Sequence, residues 1–275
     1  DIGYKALAVN LSDLAAAGAI PRAFFLTIGL PARDDAWLAG FTKGMTELSR
    51  QAGCPLLGGD TTRTAKVGDI HAPVTISITA MGELPQSMGL TRSGARPGDD
   101  IWVSGCVGGA WAALMHRWGK LTLDARVFPA AALAMDRPNP RNALGTALLS
   151  SATACADISD GLAQDLGHIL ERSGVDADVL WDAVPKHPAL AALSQEQQVE
   201  AAMSGGDDYE LVFTAPADKR GLIEQASISA LTPVTRIGRI VEKKPSGAPL
   251  AIRDASGRPL FLPVQGFDHF AQSAD

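Results

Sequence analysis

An α/β (α+β) architecture is what this sequence predicts, and three observations carry the prediction. Segments with helical apolar spacing alternate with short β-branched runs along the whole chain. Gly, Pro, Asp and Asn punctuate most of the exchanges between them. No repeat of fixed period and no low-complexity tract interrupts the alternation. Helices layered on sheets are the expected packing.

Residues 5–17 read as a helix, with Leu7, Leu11 and Leu14 on one face and Gly18 placed to end it. Residues 24–30 read as a strand that Pro31 stops. A second helix follows over 35–51, with Trp37, Phe41, Met45 and Leu48 in register. Residues 55–59 are short and apolar, the pattern of a buried strand, and 60–63 read as a polar turn after it. The β-branched run Val74, Thr75, Ile76, Ile78 and Thr79 marks a strand over 72–81. Turn-forming and basic residues over 85–97 suggest a domain boundary, dividing the chain into 1–86 and 87–275. Beyond it, 100–104 is a strand, 105–109 a glycine-rich turn and 110–118 a helix. Pro140 suits the first turn of a helix carried by Leu144, Leu148 and Leu149. A short strand over 152–156 leads to a helix bearing Leu162, Leu166, Ile169 and Leu170, which Gly174 ends. Strands over 179–181, 211–214 and 235–241 and a helix over 216–228 complete the pattern.

Bulk properties narrow the function. The chain has 275 residues, 46% of them hydrophobic and 20% charged, ordinary values for a folded domain or two. A net charge of −6 disfavours general nucleic-acid binding, which needs a basic patch. It leaves nucleotides open, because a bound divalent cation reverses the local sign. No apolar run is long enough for a membrane span, and the first residues do not have the pattern of a signal peptide. Cys54, Cys106 and Cys155 are widely spaced, which suggests reduced, buried thiols in a cytoplasmic protein. There is no P-loop, no GxSxG elbow and no HExxH. The Gly105–Gly109 turn departs from the dinucleotide GxGxxG spacing.

Asp157-Ile158-Ser159-Asp160-Gly161 sits where an apolar strand turns into an amphipathic helix. Two carboxylates this close repel by on the order of 4 kcal/mol at about 4 Å and an effective dielectric near 20. A magnesium ion, which favours carboxylates together with phosphate oxygens, removes that repulsion. The helix N-terminus offers N–H groups to a phosphate; the plainer alternative is that Ser159 or Asp160 is only an N-cap. Gly58-Gly59-Asp60-Thr61-Thr62-Arg63 combines glycines that admit a ligand, hydroxyls and a guanidinium for phosphate, and an acid for metal; it also reads as a simple polar turn. Asn10 and Asp13 lie on an alanine-lined helix face, either solvated or with room for a ligand. Gly205-Gly206-Asp207-Asp208-Tyr209-Glu210 is an acidic loop, suited to a metal, a cationic group or plain solvent. Thr91-Arg92-Ser93-Gly94 supplies a cation near the boundary, where ligand clefts form.

Taken in order with Tyr4–Ala15, Leu90–Ala95 and Gly266–Phe270, these motifs make the chain similar to the thiamine-monophosphate kinase family. That family belongs to the superfamily of aminoimidazole ribonucleotide synthetase, hydrogenase maturation factor E and selenophosphate synthetase. The resemblance covers essentially the whole chain. It implies a two-domain fold of that superfamily and, for the full-length enzyme, a homodimer. It implies direct transfer of the γ-phosphoryl group of ATP to thiamine monophosphate with Mg²⁺. By the same resemblance Asp13, Asp60, Asp157 and Asp160 hold Mg²⁺, with Asp60 and Asp160 central to catalysis. Gly59, Asp60, Arg92 and Ser159 contact ATP, and Asp207 and Phe267 contact the thiamine moiety. The family carries Glu at position 207. It also carries upstream Gly-Asp-Asp and Ser-Thr-Asp segments and a substrate-contacting His, after which this chain begins. The first domain is therefore expected to be partial, and the chain alone to have little activity. The alternatives are another ATP-using reaction of the superfamily (cyclo-ligase, selenophosphate synthesis or hydrogenase maturation) and a non-catalytic nucleotide-binding protein.

Overall fold

The computed structural model describes residues 1–68, 70–85 and 89–260. In chain order the first part comprises α1 (Ile2–Ala16), β1 (Ile20–Leu30), α2 (Asp35–Gln51), β2 (Leu56–Arg63), the short pair β3 (Lys66–Val67) and β4 (Ile70–His71), and β5 (Thr75–Glu83). The second part contains β6 (Asp100–Ser104), α3 (Gly109–Arg117), α4 (Phe128–Asp136), α5 (Asn142–Leu148), β7 (Ala154–Asp157), α6 (Leu162–Ser173) and β8 (Asp176–Leu180). It continues with α7 (Gln195–Val199), β9 (Leu211–Ala215), α8 (Arg220–Ser229), β10 (Val234–Val241) and β11 (Leu250–Arg253).

The first sheet has the order β2-β1-β5, with β2 parallel and β5 antiparallel to β1. Alternation along β1 sends Phe24 and Ile28 into a core with Leu7 and Leu11 of α1 and Phe41, Met45 and Leu48 of α2. Phe25 points the other way and is 40% exposed. The expected polar turn at 60–63 is instead the second half of β2, pairing Asp60 with Thr27 and Arg63 with Leu30. The apolar start of β2 is exposed rather than buried, Leu57 by 61%. Backbone pairing to β1, not an apolar face, holds this strand.

The second sheet has the order β11-β8-β10-β6-β9-β7. One face carries Ile101, Val103, Ala156 and Val212 into a core with Leu162, Leu166 and Ile169 of α6. The other carries Trp102, Cys155 and Phe213 onto Leu144 and Leu148 of α5 and Ile223 of α8. The Trp102 and Phe213 rings stack at 6.4 Å between centroids. Gly174 ends α6 in the left-handed region, as its position suggests. The helix expected over 216–228 is split into a 3₁₀ turn, Ala217–Lys219, and α8. Cys54 and Cys155 are buried, but Cys106 is only partly so, against the expectation for all three.

Side chains join the two parts. Asn142 donates to the Leu11 carbonyl at 2.8 Å. Arg137 pairs with Glu47 and lies 4.3 Å over the Tyr4 ring. Among the described residues no helix is long and apolar enough to cross a membrane.

Candidate active site

The site lies where α1 meets the end of β7. Asp157 is the last residue of β7, and its carboxylate is buried at 5% exposure. It accepts a hydrogen bond from the Ser12 hydroxyl at 2.8 Å, across from α1. Burial pushes the Asp157 carboxyl above its ordinary range, and the Asp13 charge adds to this; Ser12 and Arg92 oppose it. Burial also raises the Asp13 carboxyl, again against Arg92. Asp13, Arg92 and Asp157 line one cavity of about 160 Å³ with Ala16 and Ala17. The alanine face of α1 therefore leaves room beside Asp13.

The next residues form a tight loop whose amides are already engaged. Ser159 and Asp160 each donate a backbone N–H to Asp165 Oδ2 at 3.0 Å, and Gly161 donates to it at 3.2 Å. Neither Ser159 nor Asp160 caps α6; Gly161 occupies the cap position. The N–H groups expected to serve a phosphate are taken by Asp165, a residue that sequence reasoning missed. Its place in the first turn of α6 was the available signal. Burial lifts the Asp165 carboxyl to about 7, against the pull of those N–H groups. The Asp160 side chain is half-buried and accepts from Gln164 Nε2 at 3.3 Å.

The acidic loop is laced alongside. A π-helical turn, Glu200–Ser204, delivers the chain into it. Asp207 N donates to Ser159 O at 2.8 Å, Tyr209 N to Ile158 O at 2.9 Å, and Ile158 N to Glu210 O at 2.8 Å. A side chain at position 206 would bring its Cβ within 2.5 Å of Ser159 O, so only glycine fits.

The three acids of this loop have three partners. Asp207 pairs with Lys5 of α1 at 2.5 Å. Asp208 accepts from the Gly108 N–H at 2.9 and 3.0 Å and so occupies the start of α3. Burial pushes its carboxyl well up. Glu210 is buried and bonded in a fork by Arg141. Burial, Glu210 and Asp208 together push the nearby Cys106 thiol up to about 11. Burial raises the Tyr209 phenol, with the Asp207 charge next in weight and those of Asp157 and Asp160 adding to it. The backbone bonds between residues 158–159 and 207–210 hold the two acidic motifs side by side, with Tyr209 among them.

Gly59 and Asp60 stand apart on exposed β2. A Cβ at Gly59 would lie 1.8 Å from the Leu26 carbonyl oxygen, which accounts for the glycine by backbone packing alone. Thr61, Thr62 and Arg63 face a different cavity, of about 610 Å³, with Arg33 and Asp35. Phe267 lies outside the described residues. Among the described residues no three acids, histidines or cysteines converge closely enough to hold a metal ion unaided. The Asp13 and Asp157 carboxylates and the Ser12 hydroxyl offer oxygen, the donor a hard cation favours, although Cys155 lines the same cavity. The raised carboxyls of Asp13 and Asp157 are what a cation between them would relieve.

A three-stranded and a six-stranded sheet meeting at an acid-lined seam define a class, and the family comparison agrees. The chain belongs to the AIR synthase related proteins, whose N-terminal domain matches residues 1–84 and whose C-terminal domain matches 96–249. Within that family the chain is similar to thiamine-monophosphate kinases. The enzyme of Escherichia coli K12 is 40% identical over 273 residues, 98% of this chain and 80% of the relative. That of Haemophilus influenzae is 38% identical over 276 residues, 99% of this chain and 81% of the relative. The crystal structure of the thiamine-monophosphate kinase from Stenotrophomonas maltophilia K279a is 41% identical and superposes with a TM-score of 0.83, covering 91% of this chain and 78% of that one. AaThiL complexed with AMPPCP and TMP is 27% identical with a TM-score of 0.79, covering 98% and 80%. Escherichia coli HypE, a hydrogenase maturation protein, is 22% identical with a TM-score of 0.78 and shares the fold.

Proposed function

We propose that the protein phosphorylates thiamine monophosphate with ATP, giving thiamine diphosphate and ADP. The observation that carries this reading is the 40% identity to thiamine-monophosphate kinases across 98% of the chain. The seam described above gives the activity a physical means. In a direct transfer, an oxygen of the acceptor phosphate bonds to the γ-phosphorus as the bond to the ADP oxygen breaks. Both reactants are anions, so the protein must hold them together against their repulsion.

In this reading Asp13, Asp157 and Asp160 hold Mg²⁺ at the seam, and Asp60 joins them from β2. Bound Mg²⁺ shields the phosphate charges from one another. Asp60 and Asp160 are the acids on which turnover depends most. Arg92 supplies a cation to the ATP phosphates, with Gly59 and Ser159 beside them. Asp207 and Phe267 receive the thiamine moiety. No side chain needs to act as a nucleophile. Cys106 stays a neutral thiol at physiological pH, and the Nδ1 of His187 is engaged by the Ala189 N–H.

We place the division between the two domains at 86/87. The open face of β1 and β5 fits pairing with a second copy, so the working form is a homodimer, and sparse free thiols fit the cytoplasm. The test is chromatographic detection of thiamine diphosphate from thiamine monophosphate, ATP and Mg²⁺ with the intact polypeptide. The expected result is stoichiometric product and ADP. Absence of product, together with no magnesium-linked uptake of nucleotide in calorimetry, would overturn the reading.

A further inference from the structure

We infer that Lys5 is a positioning residue for the acceptor substrate, holding the Asp207 carboxylate from across the seam. Lys5 sits on α1, yet its Nζ lies 2.5 Å from Asp207 Oδ2 and 2.6 Å from the Met135 carbonyl oxygen. Two of its three N–H donors are thus directed at fixed points in the second half of the molecule. It also lies 6.0 Å from the centroid of the Tyr209 ring.

The loop it holds does not rest in a relaxed conformation. Asp207 and Tyr209 both have positive φ, 64° and 52°, without being glycine. Such residues persist only where surrounding contacts over-determine them, and they cluster at functional sites. The Lys5 ion pair holds the Asp207 carboxylate. The pair is partly shielded, with the Lys5 side chain 28% and the Asp207 side chain 36% exposed. Its partners come from different halves of the fold, so the acceptor side of the site is set by how the halves seat. The ammonium fixes the direction of the Asp207 carboxylate, so the carboxylate meets its ligand as an oriented, charged hydrogen-bond acceptor.

The inference rests on the proposed kinase reading and on Asp207 facing the thiamine moiety, and its test separates the failures. Steady-state kinetics and calorimetric binding of thiamine monophosphate are measured on the intact polypeptide carrying K5M, K5R, D207N or the K5M/D207N pair. K5M should raise KM for thiamine monophosphate and weaken its binding by about tenfold, leaving KM for ATP within about twofold. K5R should recover most of the loss. In the D207N background K5M should add almost nothing, because the two side chains act as one unit. An unchanged KM for thiamine monophosphate, an equal rise for both substrates, full additivity with D207N, or loss of folding in K5M would each remove Lys5 from this role. An intact wild-type polypeptide that makes no thiamine diphosphate would instead bring down the kinase reading, and this inference with it.

Discussion

The two sheets are built to different standards of closure. Every residue of β6, β7 and β9 is buried, with α6 covering one face of their sheet and α5 and α8 the other. Among the described residues the first sheet has helices on one face only. On its other face Phe25 and Met81 are 40% and 42% exposed, and β2 is exposed along nearly its whole length. The second sheet completes its own core; the first leaves a layer unmade. The difference teaches where the chemistry can sit. The closed half holds Asp157, Asp160 and Asp207, and α1 of the open half carries Asp13 and Lys5 up to it, whereas Asp60 lies on exposed β2.

Predictions that could break this contrast run from large to small. Phe213→Ala, in the closed sheet, should cost about 3–5 kcal/mol in denaturant unfolding, because nothing can collapse into the space left. Phe25→Ala, on the open face, should cost under about 1 kcal/mol in a monomer. Equal costs would erase the distinction. Asp160→Asn should lower kcat about 100-fold, or about 2.7 kcal/mol, with the melting temperature little changed. Asp60→Asn asks whether the site extends to the open sheet, and unchanged turnover would take β2 out of it.

A smaller effect concerns Asp165, which gathers the loop amides at the end of the closed sheet. Its carboxyl is raised to about 7 by burial, against about 3.9 in an unfolded chain. Between those values the folded protein binds the extra proton, so stability falls as pH rises from about 4 to about 7. Asp165→Asn does not titrate, and its stability relative to wild type should climb across that window by at most about 1.4 kcal/mol per pH unit. Parallel melting curves over pH would show otherwise if the two proteins stayed in step. The smallest change in fold stability, within about 0.5 kcal/mol, is expected for Leu57→Lys on exposed β2. Its readout is mass: light scattering should report a weakened dimer, and an unaltered mass would exclude β2 from the interface.

Legibility in the sequence followed the same contrast. The strand at 100–104 and the helix at 35–51 were readable to the residue, because each presents an apolar pattern to a covered face. The second half of β2 was not, because Gly-Gly-Asp-Thr-Thr-Arg has no face to bury and is held by backbone pairing to β1. The α4 helix was missed for a related reason. Its alanine-rich run has high helix propensity but little periodicity, with Ala131 and Met135 the residues it buries. At the site, the acids of the Asp157 and Asp207 motifs stood out by composition and spacing, while the residues that hold them did not. Asp165, Lys5 and Arg141 look like ordinary charges on helices or loops until their partners are known.

Sequence alone determined most of the main helices and strands, the family and the acids available for phosphate chemistry, since periodicity, turn residues and motif order are local properties of the chain. The tertiary structure decided which acid serves which end. It gave Asp165 to the loop amides, Asp208 to α3, Glu210 to Arg141, and Asp207 to Lys5 some two hundred positions away. Charges of like type are interchangeable in a string of letters. Only burial and the distance to a particular donor make them different groups.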